Sequence, residues 1–191
     1  MHVADIIAIG WIHVIACLVA LAAGAWNLAL PKGTALHRKV GTVYVLAMIV
    51  LNVSVFAVYK FDIGHFVPFA AGPNTFGFFH WLAVAALVFV CSGWYAARHQ
   101  DRAVWAYLHP VMMLLSYYDL IGGGINEVFA RLDPLRALAR ASAKTTGQAV
   151  NAPIIGLVQT AAMAGTLLLI VYFAARVALW RRKAKLQSIP A

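Results

Sequence analysis

Five long apolar runs punctuated by short polar breaks constrain this chain more than any other feature. A hydrocarbon core of roughly 30 Å is crossed by about 20 apolar residues in helical form, because a helix satisfies its own backbone polar groups where no water can. The first run spans about Ile6 to Leu30 and stops at Pro31, Lys32 and Gly33, residues that end helices. The second runs from about His37 to Tyr59, with Lys60, Asp62 and Gly64 after it. A loop rich in Pro, Gly and Asn, Pro68 to Asn74, leads to the third, about Phe76 to Arg98. A tight polar turn from Arg98 to Arg102 precedes the fourth, about Ala103 to Phe129, where Pro110 is expected to introduce a kink. The fifth runs from about Pro153 to Trp180 and ends in Arg181, Arg182, Lys183 and Lys185.

The expected fold is therefore all-α and integral to a membrane: an antiparallel four-helix bundle core plus a fifth transmembrane helix. It forms a single transmembrane domain over residues 1–191, with helices at 6–30, 37–59, 76–98, 103–129 and 153–180 and an outer loop at 130–152. Composition agrees. Apolar residues make up 63% of the chain and charged residues 11%, against about 25% charged in a soluble domain. So few charges cannot coat a soluble surface. The net charge of +9 does not point to nucleic acid, because the basic residues sit in short clusters between apolar runs. Such clusters suit lipid headgroups and topology. The first run lacks a basic leader and is longer than a signal core, so it is expected to remain in the mature protein. Cys17 and Cys91 lie within apolar runs at no disulfide or zinc spacing and read as small core residues.

Orientation follows from counting Lys and Arg on each side. Lys32, Arg38, Lys39, Arg98, Arg102, Arg176, Arg181, Arg182, Lys183 and Lys185 fall on one side; Lys60, Arg131, Arg136, Arg140 and Lys144 fall on the other. The positive-inside rule puts the first group in the cytoplasm, so the N-terminus is outside and the C-terminus inside, in the inner membrane of a bacterial cell. In the outer loop, Leu135, Leu138 and Ala141 interleave with Arg136, Arg140 and Lys144. That pattern suits either a short helix lying on the surface or a solvated loop.

Seven histidines carry the chemistry. His2, His65 and His99 lie at a terminus, a loop and a charged turn, and read as surface groups. His13, His37, His80 and His109 belong to four successive helices. Ionisable groups within lipid are costly and point to function. Successive helices alternate in direction, so His13 and His80 come near the outer end of helices one and three. His37 and His109 come near the inner end of helices two and four. In an antiparallel bundle each of these pairs is diagonal. A haem takes two axial ligands on opposite sides of its plane, and helix-borne histidines supply them. Small residues (Gly10, Cys17, Ala20 and Gly24 around His13; Gly41 after His37; Gly77 and Ala83 around His80) leave room for a flat macrocycle, or simply let membrane helices pack closely.

Other metals suit the pattern less well. Two histidines per layer are few for zinc, and copper would need help from Met48, Met112 or Met113, residues that also fill membrane cores. Arg38, Lys39 and Arg102 on the inner side and Arg131 on the outer side are placed to meet haem propionates, although Arg131 can equally pair with Glu127. Asp119, after Tyr117 and Tyr118, is the one acid deep in an apolar run. It reads as an Asp hydrogen-bonded to a neighbouring helix, or else as a proton-relay or quinone-contact group. Gly122-Gly123-Gly124 is no phosphate loop, since no Lys-Ser/Thr pair follows. It reads as a flexible or closely packed helix end.

The stretch Leu36-His37-Arg38-Lys39-Val40-Gly41-Thr42-Val43-Tyr44, then Phe79-His80, then Ser116-Tyr117 through Asn126-Glu127 to Arg131, resembles the signature of an uncharacterised bacterial multi-pass membrane family. That resemblance covers roughly Ile6 to Leu132 and implies a membrane protein without implying an activity. The histidine layout is also similar, in architecture alone, to the transmembrane ascorbate-reducible b-type cytochromes. Carried over, that resemblance makes His13 and His80 the ligands of an outer haem iron, and His37 and His109 those of an inner one.

The expected function is transmembrane electron transfer through two b-type haems (heme b). The donor would be a quinol or small reductant and the acceptor is open. This would make the protein a membrane oxidoreductase. The alternatives are a non-redox accessory or assembly subunit of a larger membrane complex, and a small His-dependent metal or proton transporter. The partners expected are the lipid bilayer, quinone, and either a membrane-complex subunit or a second copy of the chain.

Overall fold

The structure, a computed structural model, describes residues 3–58, 77–99, 103–146 and 153–187. Among them the only regular structure is α-helix: α1 (Val3–Ala29), α2 (Ala35–Val58), α3 (Phe78–Arg98), α4 (Ala103–Arg131), α5 (Asp133–Thr146) and α6 (Pro153–Gln187). The protein is an all-α membrane protein. Four helices, α1, α2, α3 and α6, are long and apolar enough to cross a bilayer by length and composition. Of the five crossings expected, the fourth is the exception. Helix α4 is long enough at 29 residues, but Ser116, Asp119, Asn126 and a run of glycines dilute its apolar character. The loop expected at Pro68 to Asn74 and most of the turn from Arg98 to Arg102 lie outside the described residues.

The chain divides into two units, Met1–Trp94 and Tyr95–Ala191. In the first, α1 and α2 form an antiparallel hairpin. The tight turn between them is built by four residues. Gly33 takes φ +80°, a left-handed conformation that a Cβ would strain. Lys32 Nζ donates to the carbonyls of Asn27 (2.7 Å) and Leu28 (2.8 Å), closing the end of α1 with a cation where the helix dipole is negative. Thr34 Oγ1 accepts from the backbone N–H of His37 at 3.1 Å and so caps α2. Arg38 Nη1 donates to Gly33 O at 2.6 Å. Helix α2 thus begins at Ala35, before the expected His37, because Thr34 and not His37 is its cap.

Along the hairpin, Ala16, Ala20 and Ala23 of α1 are buried, as are Tyr44, Met48 and Leu51 of α2. Both sets repeat at three and four residues, one helical face each. Lipid gives no hydrophobic drive for two helices to meet, so small side chains and close backbone approach hold the pair. Gly41 shows how close: a Cβ there would stand 3.2 Å from Asn27 Nδ2. The outward faces carry exposed Trp11, Leu18, Leu46 and Val53, as a lipid-facing surface requires. A shallow, open aliphatic groove runs between Ile12, Ile15, Val19, Val43, Leu46 and Val50.

In the second unit α4 packs along α6, and α5 packs on both. The stretch expected as an outer loop therefore holds a 14-residue helix, in line with the surface-helix alternative. Helix α6 continues beyond the expected Trp180 to Gln187, since Arg and Lys are good helix formers and stabilise a C-terminal dipole. Gly122–Gly124 lie inside α4 rather than at its end. The Cβ positions at Gly122 and Gly124 have nothing within 4 Å, so close packing does not explain these two glycines. The helix runs through them, each at the usual glycine penalty of about 1 kcal/mol. Cys17 is half-buried, but Cys91 is exposed on α3 and is not a core residue.

Candidate functional site

His13 lies on α1, half-buried, one turn before the buried Ala16. Its Nδ1 is 2.8 Å from Ser54 Oγ on α2. Ser54 has one hydroxyl proton, and Leu51 O takes it at 2.6 Å. Nδ1 of His13 therefore donates, and its lone pair lies on Nε2. This is the arrangement of a metal-ligating histidine, whose second nitrogen is oriented by an outer acceptor. One turn before His13, a Cβ at Gly10 would meet nothing within 4 Å.

His80 is buried at 3% exposure near the start of α3. Its ring stands 5.7 Å from that of Phe56. Ser54 and Phe56 are two residues apart on α2, so His13 and His80 come to the same level of α2 but on nearly opposite sides of it, and these contacts do not bring the two rings together. The tautomers differ, however. Gly77 N donates to His80 Nδ1 at 3.2 Å. That is half of a capping box, with the third helical residue reaching back to the cap position. A neutral His80 then carries its proton on Nε2. The sequence reading missed this helix-capping role; the signal was a Gly three residues before a His at the start of an apolar run.

His37 is half-buried at the first turn of α2, in the corner locked by Lys32, Thr34 and Arg38. Arg38, expected at a haem propionate, is exposed, and its Nη1 is engaged on Gly33 O. His109 is half-buried on α4, next to Pro110, in the second unit. His37 and His109 thus belong to different units. Arg131 ends α4, and its side chain, like that of Glu127, lies outside the described residues. His99 is exposed and stacks on Tyr95 at 4.0 Å, as a surface group would.

No three or more His, Cys, Asp or Glu side chains come together to hold a metal ion among the described residues. Asp119 does not follow the simpler expectation. It is buried at 8% exposure on the α4 face shared with Ser116 and Asn126, and its Oδ2 has no hydrogen-bond partner among the described residues. Asn126 Oδ1 accepts from Gln159 Nε2 of α6 at 3.1 Å.

Comparison with known proteins gives one match. The model of a family described as "Predicted membrane protein (DUF2306)" matches residues 10–142. No curated protein and no solved structure matches the chain.

Proposed function

From the premise that the chain belongs to the DUF2306 family of predicted membrane proteins, we propose that it carries electrons across a membrane on two b-type haems. His13, His80, His37 and His109 would be the iron ligands. In this reading the protein sits in a bacterial inner membrane with its N-terminus outside and takes electrons from a quinol or another small reductant.

The observation that carries the proposal is the His13–Ser54 contact. An imidazole whose Nδ1–H is held by a buried acceptor on the next helix has its Nε2 lone pair fixed in direction, which is what an axial ligand needs. Bound haem would supply an iron that accepts and releases one electron at a time. The chain's own part is to orient the two imidazoles and to keep bulk water from the iron. In His13 the Nδ1 side is oriented in the way that part requires. His80 fits it by a change of tautomer: its proton moves from Nε2 to Nδ1, and the Gly77 N–H gives up its acceptor. That exchange leaves the Gly77 N–H without its acceptor and costs about 1–3 kcal/mol.

The test is a reduced-minus-oxidised absorption spectrum of detergent-purified protein expressed with haem supplied, together with a pyridine haemochrome count. A sharp b-type α-band and two haems per chain are expected. His13→Ala should remove one of them and leave the other. A flat spectrum from well-folded protein refutes the proposal. Colourless protein that co-purifies with a fixed partner would favour the accessory-subunit reading instead.

A further inference from the structure

Helix α5 does not cross the membrane: its 14 residues hold Asp133, Arg136, Arg140 and Lys144, too many charges for hydrocarbon. Its place is set from both ends. Only Leu132 separates it from α4. The Leu132 N–H donates to Val128 O at 3.0 Å and closes α4, and the Arg136 N–H donates to Leu132 O at 2.8 Å and opens α5. Shortly after Thr146, Pro153 begins both α6 and its apolar span, and α5 packs against α6. Helix α5 thus lies at the end of a helix long and apolar enough to cross the bilayer, the level at which hydrocarbon gives way to headgroups.

The helix is divided lengthwise into three sides of different character. Ala139 is buried and Leu135 and Ser142 are half-buried, at spacings of three and four; this side packs on α4 and α6. Pro134, Leu138 and Ala141 follow the same spacing on a second side and are exposed, Leu138 at 46%. Arg136, Arg140 and Lys144 recur every four residues and share the third side by register. Arg136 pairs with Asp133 one turn earlier, and Arg140 is exposed. At about 100° of rotation per residue, the exposed apolar side and the basic side are neighbours, and neither is the side held by the protein. A helix in water would carry polar residues all round its outer surface. Here an apolar ridge is exposed beside a basic one, the pattern of a helix lying in the plane of the interface. Lipid meets both needs at once: acyl chains cover the ridge, and anionic phosphates attract the bases. An acidic protein would also attract the bases, but the bilayer is the partner already present at that level.

We propose that α5 is an interfacial helix that binds anionic phospholipid, with the Leu138 side set among acyl chains and the Arg140 side on headgroup phosphates. It ties the corner between α4 and α6 to the membrane surface, whether or not haem binds.

The test is amide hydrogen exchange, read by mass spectrometry, on the full-length protein in two kinds of nanodisc. One is phosphatidylcholine alone; the other is an equal mixture of phosphatidylcholine and phosphatidylglycerol. Both leaflets of a disc carry the same lipid, so the result does not depend on orientation. Amides of α5 should exchange about 5-fold more slowly, or more, in the anionic discs, the effect of one base held near an anionic surface. Those of the α1–α2 hairpin should stay level. High salt should return α5 to its rate in phosphatidylcholine. The double variant Arg140→Gln/Lys144→Gln should abolish the difference between the discs, and Leu138→Ser should speed exchange in both alike. Equal exchange of wild-type α5 in the two discs overturns the proposal, and this arm needs no substitution. So does slowing that survives high salt or the double variant, since it would arise elsewhere, as at the basic end of α6. A Leu138→Ser variant that folds and exchanges like wild type overturns the placing of that side in acyl chains.

Discussion

The His13–Ser54 hydrogen bond links two helices 41 residues apart in sequence and sets the tautomer on which the proposed chemistry depends. Its strength can be isolated by a double-mutant cycle of His13→Ala, Ser54→Ala and the pair. Ser54→Ala alone removes two interactions, the bond from His13 and the local bond to Leu51 O. It also leaves a half-buried N–H without its acceptor, so a loss of about 1–3 kcal/mol is expected. The Leu51 term is common to both edges of the cycle and cancels, leaving the interhelical bond. Polar pairs between membrane helices couple by about 0.6 kcal/mol on average and up to about 1.7. A 2.8 Å contact with one partner only 8% exposed belongs in the upper half, so a coupling of about 1–1.5 kcal/mol is expected. The assay is equilibrium unfolding in mixed micelles with increasing sodium dodecyl sulfate, followed by circular dichroism. In haem-loaded protein the same Ser54→Ala change should weaken one site by about 10- to 100-fold, the usual effect of losing a partner that orients a ligand. Coupling indistinguishable from zero, with haem affinity unchanged, would refute the argument that Ser54 holds the ring.

Three further outcomes follow from the turn and from the α4–α6 contact. Gly33→Ala forces a Cβ into a left-handed backbone conformation (φ +80°) and should destabilise the fold by about 1–2 kcal/mol, read from the same unfolding curves. Thr34→Ala removes the cap of α2 and should cost about 1 kcal/mol, while Thr34→Ser should restore most of it. Gln159→Leu leaves Asn126 Oδ1 without its donor and should lower stability by about 1 kcal/mol; amide hydrogen exchange should rise in α4 and α6 and stay unchanged in α1 and α2.

Much of the fold was legible because lipid leaves few choices. Length and apolarity alone locate α1, α2, α3 and α6, with ends close to those expected except that α6 runs on from Trp180 to Gln187. The errors fall where local hydrogen bonding decides. Thr34 starts α2 ahead of His37 because a hydroxyl caps better than an apolar run begins. Helix α5 was ambiguous because its apolar positions are few and mostly Ala, and its packing on α4 and α6 is a tertiary fact that periodicity does not carry. Gly122–Gly124 misled because glycine is commonest just past a helix end, whereas here α4 runs on through it to Arg131.

The candidate site was legible in position more than in chemistry. Counting turns from the helix ends gives His13 and His80 a common depth, but it does not show that their contacts, Ser54 and Phe56, leave α2 on nearly opposite sides. What counting cannot supply is the proton on each ring. Nothing in its sequence context marks Ser54, yet its bond to Leu51 O leaves it an acceptor for His13 Nδ1. Gly77 appeared as a space-making residue, yet its N–H makes His80 an acceptor at Nδ1. Two histidines that look equivalent by depth are thus held in opposite tautomers. Any ligand that binds both through Nε2 must displace the α3 cap and leave the His13 bond intact. Amide hydrogen exchange at the start of α3 should therefore rise on haem binding while that of the α1–α2 hairpin stays level. Protection that rises equally in all three helices would show that His80 keeps its cap and does not ligate.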